Sequence, residues 1–366
     1  MLHLFAGCGG QHRVGGLAVV RDQNIGAGMR RNVLRSDLLR RGSTDIVRCL
    51  AAAVCLSAGL LAAPSALRAH EVWIAPDAYR PAVGMPFTAQ LRNGEQFAGS
   101  TLMFNPSGTA RLALVTPAGQ EQAVSGRLGD IPAIQLAKGL TDGLNIIAYQ
   151  STPSTLTYRK WEKFIAFAAH KDFSNIAARH DARGLPRTGF VETYTRFAKA
   201  LIGVGSANGA DRRLGLETEI VALDNPYQLA DGAPLRVQVF YQGQPRGDAQ
   251  VELFAKPSKA EPGSPSRLGS AAPQLGEGGT AAGGTSAGDD AGPVTPPVKV
   301  TLHRTDADGI AVLPMARGMT YLVDAVVLRT PKDAADDGSS QSGSGSKPVW
   351  ETLWAALTFQ VPRAAP

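Results

Sequence analysis

Short alternations of apolar and polar positions fill the chain from residue 85 onward. Met85-Pro86-Phe87-Thr88-Ala89-Gln90-Leu91 alternates and runs to Asn93-Gly94, a turn dipeptide. Ala110 to Thr116 precedes Pro117-Ala118-Gly119, and Leu144 to Tyr149 follows Asp142-Gly143. Lys163 to Ala168 reads as the last strand of this set, with His170 at its exit. Strands at this spacing predict an antiparallel β-sandwich over residues 70–170.

The pattern then changes. Ser174 to Arg183 has helical character and stops at Gly184 and Pro186. Phe190, Tyr194, Phe197 and Leu201 fall at near-helical spacing, which predicts a second helix ending at Gly203 and Gly205. Together these make a helical connector over 171–215. Alternation returns at Leu216 to Leu223, Leu235 to Tyr241 with its Gln242-Gly243 turn, and Ala249 to Phe254. Val298 to Leu302, Ile310 to Pro314, Thr320 to Leu328 and Leu353 to Val361 supply further strands of a second β module, 216–366. Residues 257–297 and 331–348 are dominated by Gly, Ala, Pro, Ser and Thr. They are expected to be disordered loops between paired strands, because neither holds enough apolar surface to offset ordering entropy. The fold class is therefore mainly β, two modules with a short helical insertion between them.

Residues 1–69 are set apart as a leader. The apolar run Cys49 to Ala63 follows Arg30, Arg31, Arg35, Arg40, Arg41 and Arg48 and leads into small residues at Ala66 to Ala69. That is the pattern of a cleaved secretory signal, and it predicts an exported protein whose mature chain starts at His70. No later segment reaches the ~20 apolar residues of a membrane helix. With 366 residues, about two domains are expected once the leader is removed. The formal charge of +6 owes much to the arginines of the leader, so it gives no argument for nucleic-acid binding. Cys8, Cys49 and Cys55 all precede His70, which excludes thiolate catalysis and cysteine metal sites from the mature chain.

Candidate chemistry is confined to a few residues. After position 69 the histidines are His70, His170, His180 and His303. An N-terminal His70 would offer an α-amine and an imidazole, which close one chelate ring on a metal. His70 starts the first module and His170 and His180 follow its last strand, so a sandwich can bring all three to one end. Three imidazoles and an amine suit nickel, cobalt, copper or zinc. Glu71, Asp172 and Asp181 are carboxylates placed to orient such rings. His303, beside Arg304, reads as a surface residue, and the Phe190–Leu201 aromatic stripe reads as core. Asp306-Ala307-Asp308-Gly309 lacks the downstream Glu of a calcium loop and reads as a hairpin turn. No phosphate loop or zinc-protease helix is present.

Ala69-His70-Glu71-Val72-Trp73-Ile74-Ala75-Pro76 resembles the mature start of domain-of-unknown-function family 4198. Asn93 to Phe97, Glu192 to Leu201, Leu216 to Tyr227, Gly243 to Pro245, Thr305 to Gly309 and Trp354 to Phe359 resemble further stretches of that family in order. Members are described as NikM-like or NikK-like periplasmic nickel-uptake components. The resemblance implies two immunoglobulin-like β-sandwich modules and a role in transition-metal uptake. The expected function is capture of nickel or cobalt by His70, His170 and His180 for delivery to a membrane transporter. One alternative is a cell-envelope interaction module without metal. Another is a copper-dependent oxidase-like enzyme that uses His70.

Overall fold

Residues 190–204 carry apolar side chains at both parities after Phe197, and every position from there on is buried. A strand covered on both faces shows no clean alternation, so its sequence imitates a buried helix. The computed structural model makes this segment a 15-residue strand, the axis of the fold. It describes residues 70–258, 298–332 and 347–363, within a compact unit spanning Ala66–Pro366.

Along the chain, the first strands are β1 (Glu71–Pro76), β2 (Phe87–Glu95), β3 (Ala98–Leu102), β4 (Thr109–Val115), β5 (Glu121–Ala123) and β6 (Ile134–Leu136). They are followed by β7 (Gly143–Ser151), β8 (Ser154–Tyr158), helix α1 (Trp161–His170), helix α2 (Ile176–Ala182) and the long strand β9 (Phe190–Val204). The remaining strands are β10 (Thr218–Ala222), β11 (Leu235–Tyr241), β12 (Gln244–Pro245), β13 (Gln250–Pro257) and β14 (Lys299–Arg304). The set closes with β15 (Ile310–Leu313), β16 (Met319–Arg329) and β17 (Pro348–Val361).

A nine-stranded sheet runs β14-β13-β16-β17-β9-β7-β4-β5, with β8 also paired to β9. The first half of β9 pairs with β8, its second half with β7, and its other edge takes β17 in parallel. This sheet is shared by the segments 70–170 and 216–366, so the structure joins through one sheet what the sequence pattern divides into two sandwiches. One face is covered by the sheet of β1, β2, β3 and β6, around Trp73, Ile74, Leu91 and Ile134. The opposite face is covered by β10, β11, β12 and β15, around Val237, Leu313, Leu357 and Phe359. Helices α1 and α2 pack on the first face beside the small sheet, through Phe164, Phe167, Phe190, Trp350 and Trp354.

Two further local expectations change. Lys163 to Ala168 lies inside α1, where Phe164, Phe167 and Ala168 are buried at helical spacing. The β2–β3 turn falls at Gln96-Phe97 rather than Asn93-Gly94, and both turn residues have positive φ, 51° and 59°. Phe97 holds that conformation through its packing against Trp73, with ring centroids 5.5 Å apart. Gly94 and Gly99 face each other so closely that a Cβ on Gly94 would meet the Ala98 carbonyl oxygen at 2.0 Å. Other turns match the sequence reading. Asp306 Oδ1 accepts the amides of Asp308 and Ile310 at 3.0 and 2.9 Å, as a side-chain-closed hairpin requires. The long inserts begin and end on antiparallel neighbours, β13 with β14 and β16 with β17. Positions 259–297 and 333–346 lie outside the described residues, as does the whole leader.

Candidate functional site

The two layers on the first face do not merge, and the seam between them is polar. Glu71 is the first residue of β1, and Lys171 follows the last residue of α1. Period-two geometry puts Glu252 of β13, Asp324 of β16, Thr352 of β17, and Glu192 and Arg196 of β9 on the face beneath them. Glu252 and Asp324 are direct neighbours across the ladder.

Lys171 sits at the centre of this group. Its Nζ lies 2.9 Å from Asp324 Oδ2, 3.0 Å from Glu252 Oε2 and 3.7 Å from Glu71 Oε1. All four side chains are deeply buried, with Glu71 3% exposed and Glu252 and Asp324 1% exposed. One carboxylate oxygen from each acid lies within 4.8 Å of the others. Glu71 Oε2 and Asp324 Oδ1 are buried without a hydrogen-bond partner among the described residues. His170 Nε2 approaches Glu252 Oε1 at 3.2 Å, and that ring is one-third exposed, so it links the cluster to solvent. The Gln250 amide also donates to Glu252 Oε1, at 3.1 Å.

Burial, reinforced by the charge of Asp324, raises the Glu71 pKa from 4.5 to about 8, so Glu71 holds a proton at neutral pH. Burial also raises Asp324, against the pull of Lys171. Burial acts on Glu252 in the same sense, but the His170 hydrogen bond and the Lys171 charge outweigh it and hold Glu252 low. Burial alone would lower Lys171, yet the three carboxylates keep it above its ordinary value.

A second buried lysine shows what a completed cluster looks like. Lys199, on the opposite face of β9, lies 2.8 Å from Asp211 Oδ1 and 3.2 Å from Glu219 Oε1. It donates to the carbonyls of Arg212 and Ile220 at 3.0 and 3.2 Å. Glu219 Oε1 accepts the Leu214 amide, and the Asp211 oxygens accept the amides of Arg212 and Ala222. Neither acid leaves a buried oxygen without a partner. Lys199 is thus a scaffold ion cluster, while the Lys171 cluster leaves one oxygen each of Glu71 and Asp324 unpartnered among the described residues.

A cavity of about 720 Å³ opens beside the seam and is lined by His70, Tyr149, Tyr158, Tyr194, Arg196 and Trp354, with Glu192 at its inner wall. Trp354 is common to both features, with Lys171 Nζ 5.0 Å and the Arg196 guanidinium 4.1 Å from its ring.

The structure separates the histidines expected to act together. His70 is at the cavity rim, its side chain 55% exposed, with Nε2 3.4 Å from Glu95 Oε1. His170 belongs to the Glu252 cluster. His180 is fully buried, with Nδ1 accepting the Trp350 indole N–H at 3.0 Å and Nε2 3.1 Å from the Pro186 carbonyl. Those partners fix an Nε2–H tautomer and leave no lone pair for a metal. Rings of Trp161 and Phe190 pack on it at 4.6 and 4.8 Å, and burial lowers its pKa. His180 is therefore a core residue rather than a ligand. Asp172 pairs with Arg304, and Asp181 with Arg187 at 2.7 Å, so neither orients a histidine ring. Only Glu71 of the three anticipated carboxylates reaches the cluster. His303 is half-buried on edge strand β14, bonded to the Thr301 hydroxyl at 2.9 Å. Sequence reasoning missed Glu252, Asp324 and Lys171. The available signal was a carboxylate inside an apolar run, Leu322-Val323-Asp324-Ala325-Val326.

The family model for "Domain of unknown function (DUF4198)" matches residues 67–329. The chain belongs to this family. No curated protein matches it. Among solved structures, this DUF4198 chain is similar to a tetra-tandem repeat in the extending region of a large adhesion protein, at 11% identity and a TM-score of 0.18, over 80% of this chain and 50% of that one. A mutant alpha-2-macroglobulin from Salmonella gives 12% identity and a TM-score of 0.18, over 79% of this chain and 15% of that one. A DUF4785 family protein from Legionella pneumophila gives 8% identity and a TM-score of 0.18, over 69% of this chain and 51% of that one. The chain thus spans about half or less of these structures. Such TM-scores carry no argument about this chain. Among the described residues no helix is long and apolar enough to cross a membrane.

Proposed function

We propose that this protein is an exported, periplasmic binder of a divalent transition metal, nickel or cobalt, which it passes to a membrane transporter. The ligands are His170, Glu252, Glu71 and Asp324. The observation that supports this reading is the contrast between the two buried lysine clusters: Lys199 satisfies its carboxylates, and Lys171 leaves Glu71 Oε2 and Asp324 Oδ1 without partners among the described residues. A buried polar oxygen without a partner costs about 1–3 kcal/mol, so two in one place favour a second occupant. One imidazole and three carboxylates form a nitrogen–oxygen donor set suited to nickel, cobalt or zinc.

Lys171 is the resident counter-cation of the metal-free state. The metal replaces its ammonium, and Glu71 gives up its proton. Metal uptake therefore releases a proton at pH 7 and strengthens as pH rises toward 8. His70 and Glu95, at the cavity rim, form a donor pair apart from the seam ligands. When export leaves His70 at the N-terminus, its free amine adds a third donor.

Titration calorimetry with nickel and cobalt, on exported protein of verified N-terminal mass, tests the proposal. One-to-one binding that Glu252→Gln weakens at least ~10-fold supports the seam site. Binding lost in His70→Ala but kept in Glu252→Gln moves the site to the N-terminus. Absence of binding by nickel, cobalt, copper and zinc refutes the metal reading.

A second reading follows from the position of Lys171, which already fills the centre of the cluster. There the ion group acts as a pin between layers, and the protein is a cell-envelope interaction module. That reading predicts that metal leaves the thermal midpoint unchanged.

A further inference from the structure

The cavity beside the seam carries a different chemistry. Tyr149, Tyr158, Tyr194 and Trp354 line it, and the Arg196 guanidinium lies 4.1 Å from the Trp354 ring and 5.1 Å from the Tyr194 ring. Arg196 Nε and Nη1 are buried without a hydrogen-bond partner among the described residues. Guanidinium N–H groups bond most strongly to carboxylate and phosphate oxygens. Glu192 stands on the same face of β9. It accepts the Thr352 hydroxyl through Oε1 at 2.5 Å. Burial raises the Glu192 pKa to about 7, so its carboxyl is substantially protonated near neutrality and can donate.

Charge selects the ligand's sign. Among the lining side chains, Arg159, Lys160, Lys163 and Arg196 carry positive charge against one carboxyl, Glu192. At the mouth, Arg159, Lys160 and Lys163 are exposed and line the cavity. The cavity is therefore net positive and draws in an anion. Its volume falls within the ~300–1,000 Å³ typical of small-molecule sites, and its aromatic walls fit a flat apolar body.

We propose that this cavity binds a small aromatic carboxylate, with the carboxylate on Arg196 and the ring against Trp354 and the tyrosines. The inference stands apart from the metal reading and needs no metal.

Phenylacetate and indole-3-acetate are titrated calorimetrically into the full chain with chelator present, beside the neutral isostere phenylacetamide. The acids are expected to bind at least ~10-fold more tightly than the amide, the worth of a charge-assisted hydrogen bond to a buried cation. Arg196→Gln removes that preference. Lys163→Glu, on an exposed position, weakens acid binding several-fold and leaves amide binding unchanged. It keeps the test open when Arg196→Gln does not fold. Equal affinity for acid and amide, indifference to Lys163→Glu, or no binding at millimolar ligand to the folded protein overturns the proposal. Because chelator is present throughout, failure of the metal site changes none of these outcomes.

Discussion

Glu71 makes stability depend on pH in the opposite direction from an ordinary ion-paired carboxylate. Burial and the Asp324 charge raise its pKa from 4.5 to about 8, so between those values the native chain keeps a proton that the unfolded chain has released. Stability from this group is full below pH 4.5 and is lost as pH rises through 8. Each pH unit in that window costs at most ~1.4 kcal/mol, so the loss from pH 5 to pH 8 is at most about 4 kcal/mol. Glu71→Gln keeps the shape of the neutral acid and cannot ionise. Urea unfolding at pH 5, 6, 7 and 8, in chelator, measures both proteins. The two should be similar at pH 5, and the variant should gain on the native chain by up to about 4 kcal/mol at pH 8. Burial lowers His180, which pulls the other way as pH falls through 6.5, but it is common to both proteins and cancels in the difference. Parallel curves from pH 5 to pH 8 would show that Glu71 is charged in the native state, and the description of the seam would fail.

Other substitutions separate scaffold from site. Lys171→Met leaves the seam acids without their counter-ion and should cost about 3–5 kcal/mol, recovered in thermal melts when nickel or cobalt is added. Lys199→Met, in the satisfied cluster, should cost a similar amount with no recovery by metal. His180→Ala empties a ring-lined pocket and strands the Trp350 N–H. It should destabilise by about 2–4 kcal/mol in urea unfolding and leave metal affinity in calorimetry unchanged. Nickel affinity of the native chain should rise at most ~10-fold per pH unit between pH 6 and pH 8 as Glu71 loses its proton, and Glu71→Gln should flatten that dependence.

The β character, the hairpin turns at Gln242-Gly243 and Asp306 to Gly309, and the helix near Ser174 to Arg183 were legible in local pattern, because turn chemistry and stop signals act over a few residues. The strand Phe190–Val204 was not legible. Layers on both of its faces replace alternation with an unbroken apolar run whose aromatic spacing suits a helix equally well. Within helix Trp161–His170, Lys163 to Ala168 suits a strand as well as a helix, because so short an apolar run has no period of its own. The parallel pairing of β17 with β9 depends on contacts more than 150 residues apart, as Thr352 to Glu192 shows. For the same reason the cluster of Glu71, Lys171, Glu252 and Asp324 has no motif. Each residue comes from a different element, and Glu252 reads as a solvent-facing position until the second layer above it is known.

X-ray absorption at the cobalt edge, on exported protein loaded one-to-one, examines the seam site most directly. The expected first shell is one imidazole nitrogen with carboxylate oxygens, altered by Glu252→Gln and unaltered by His180→Ala. A shell with two or more imidazoles, a shell of water oxygens alone, or a protein that takes up no metal contradicts it.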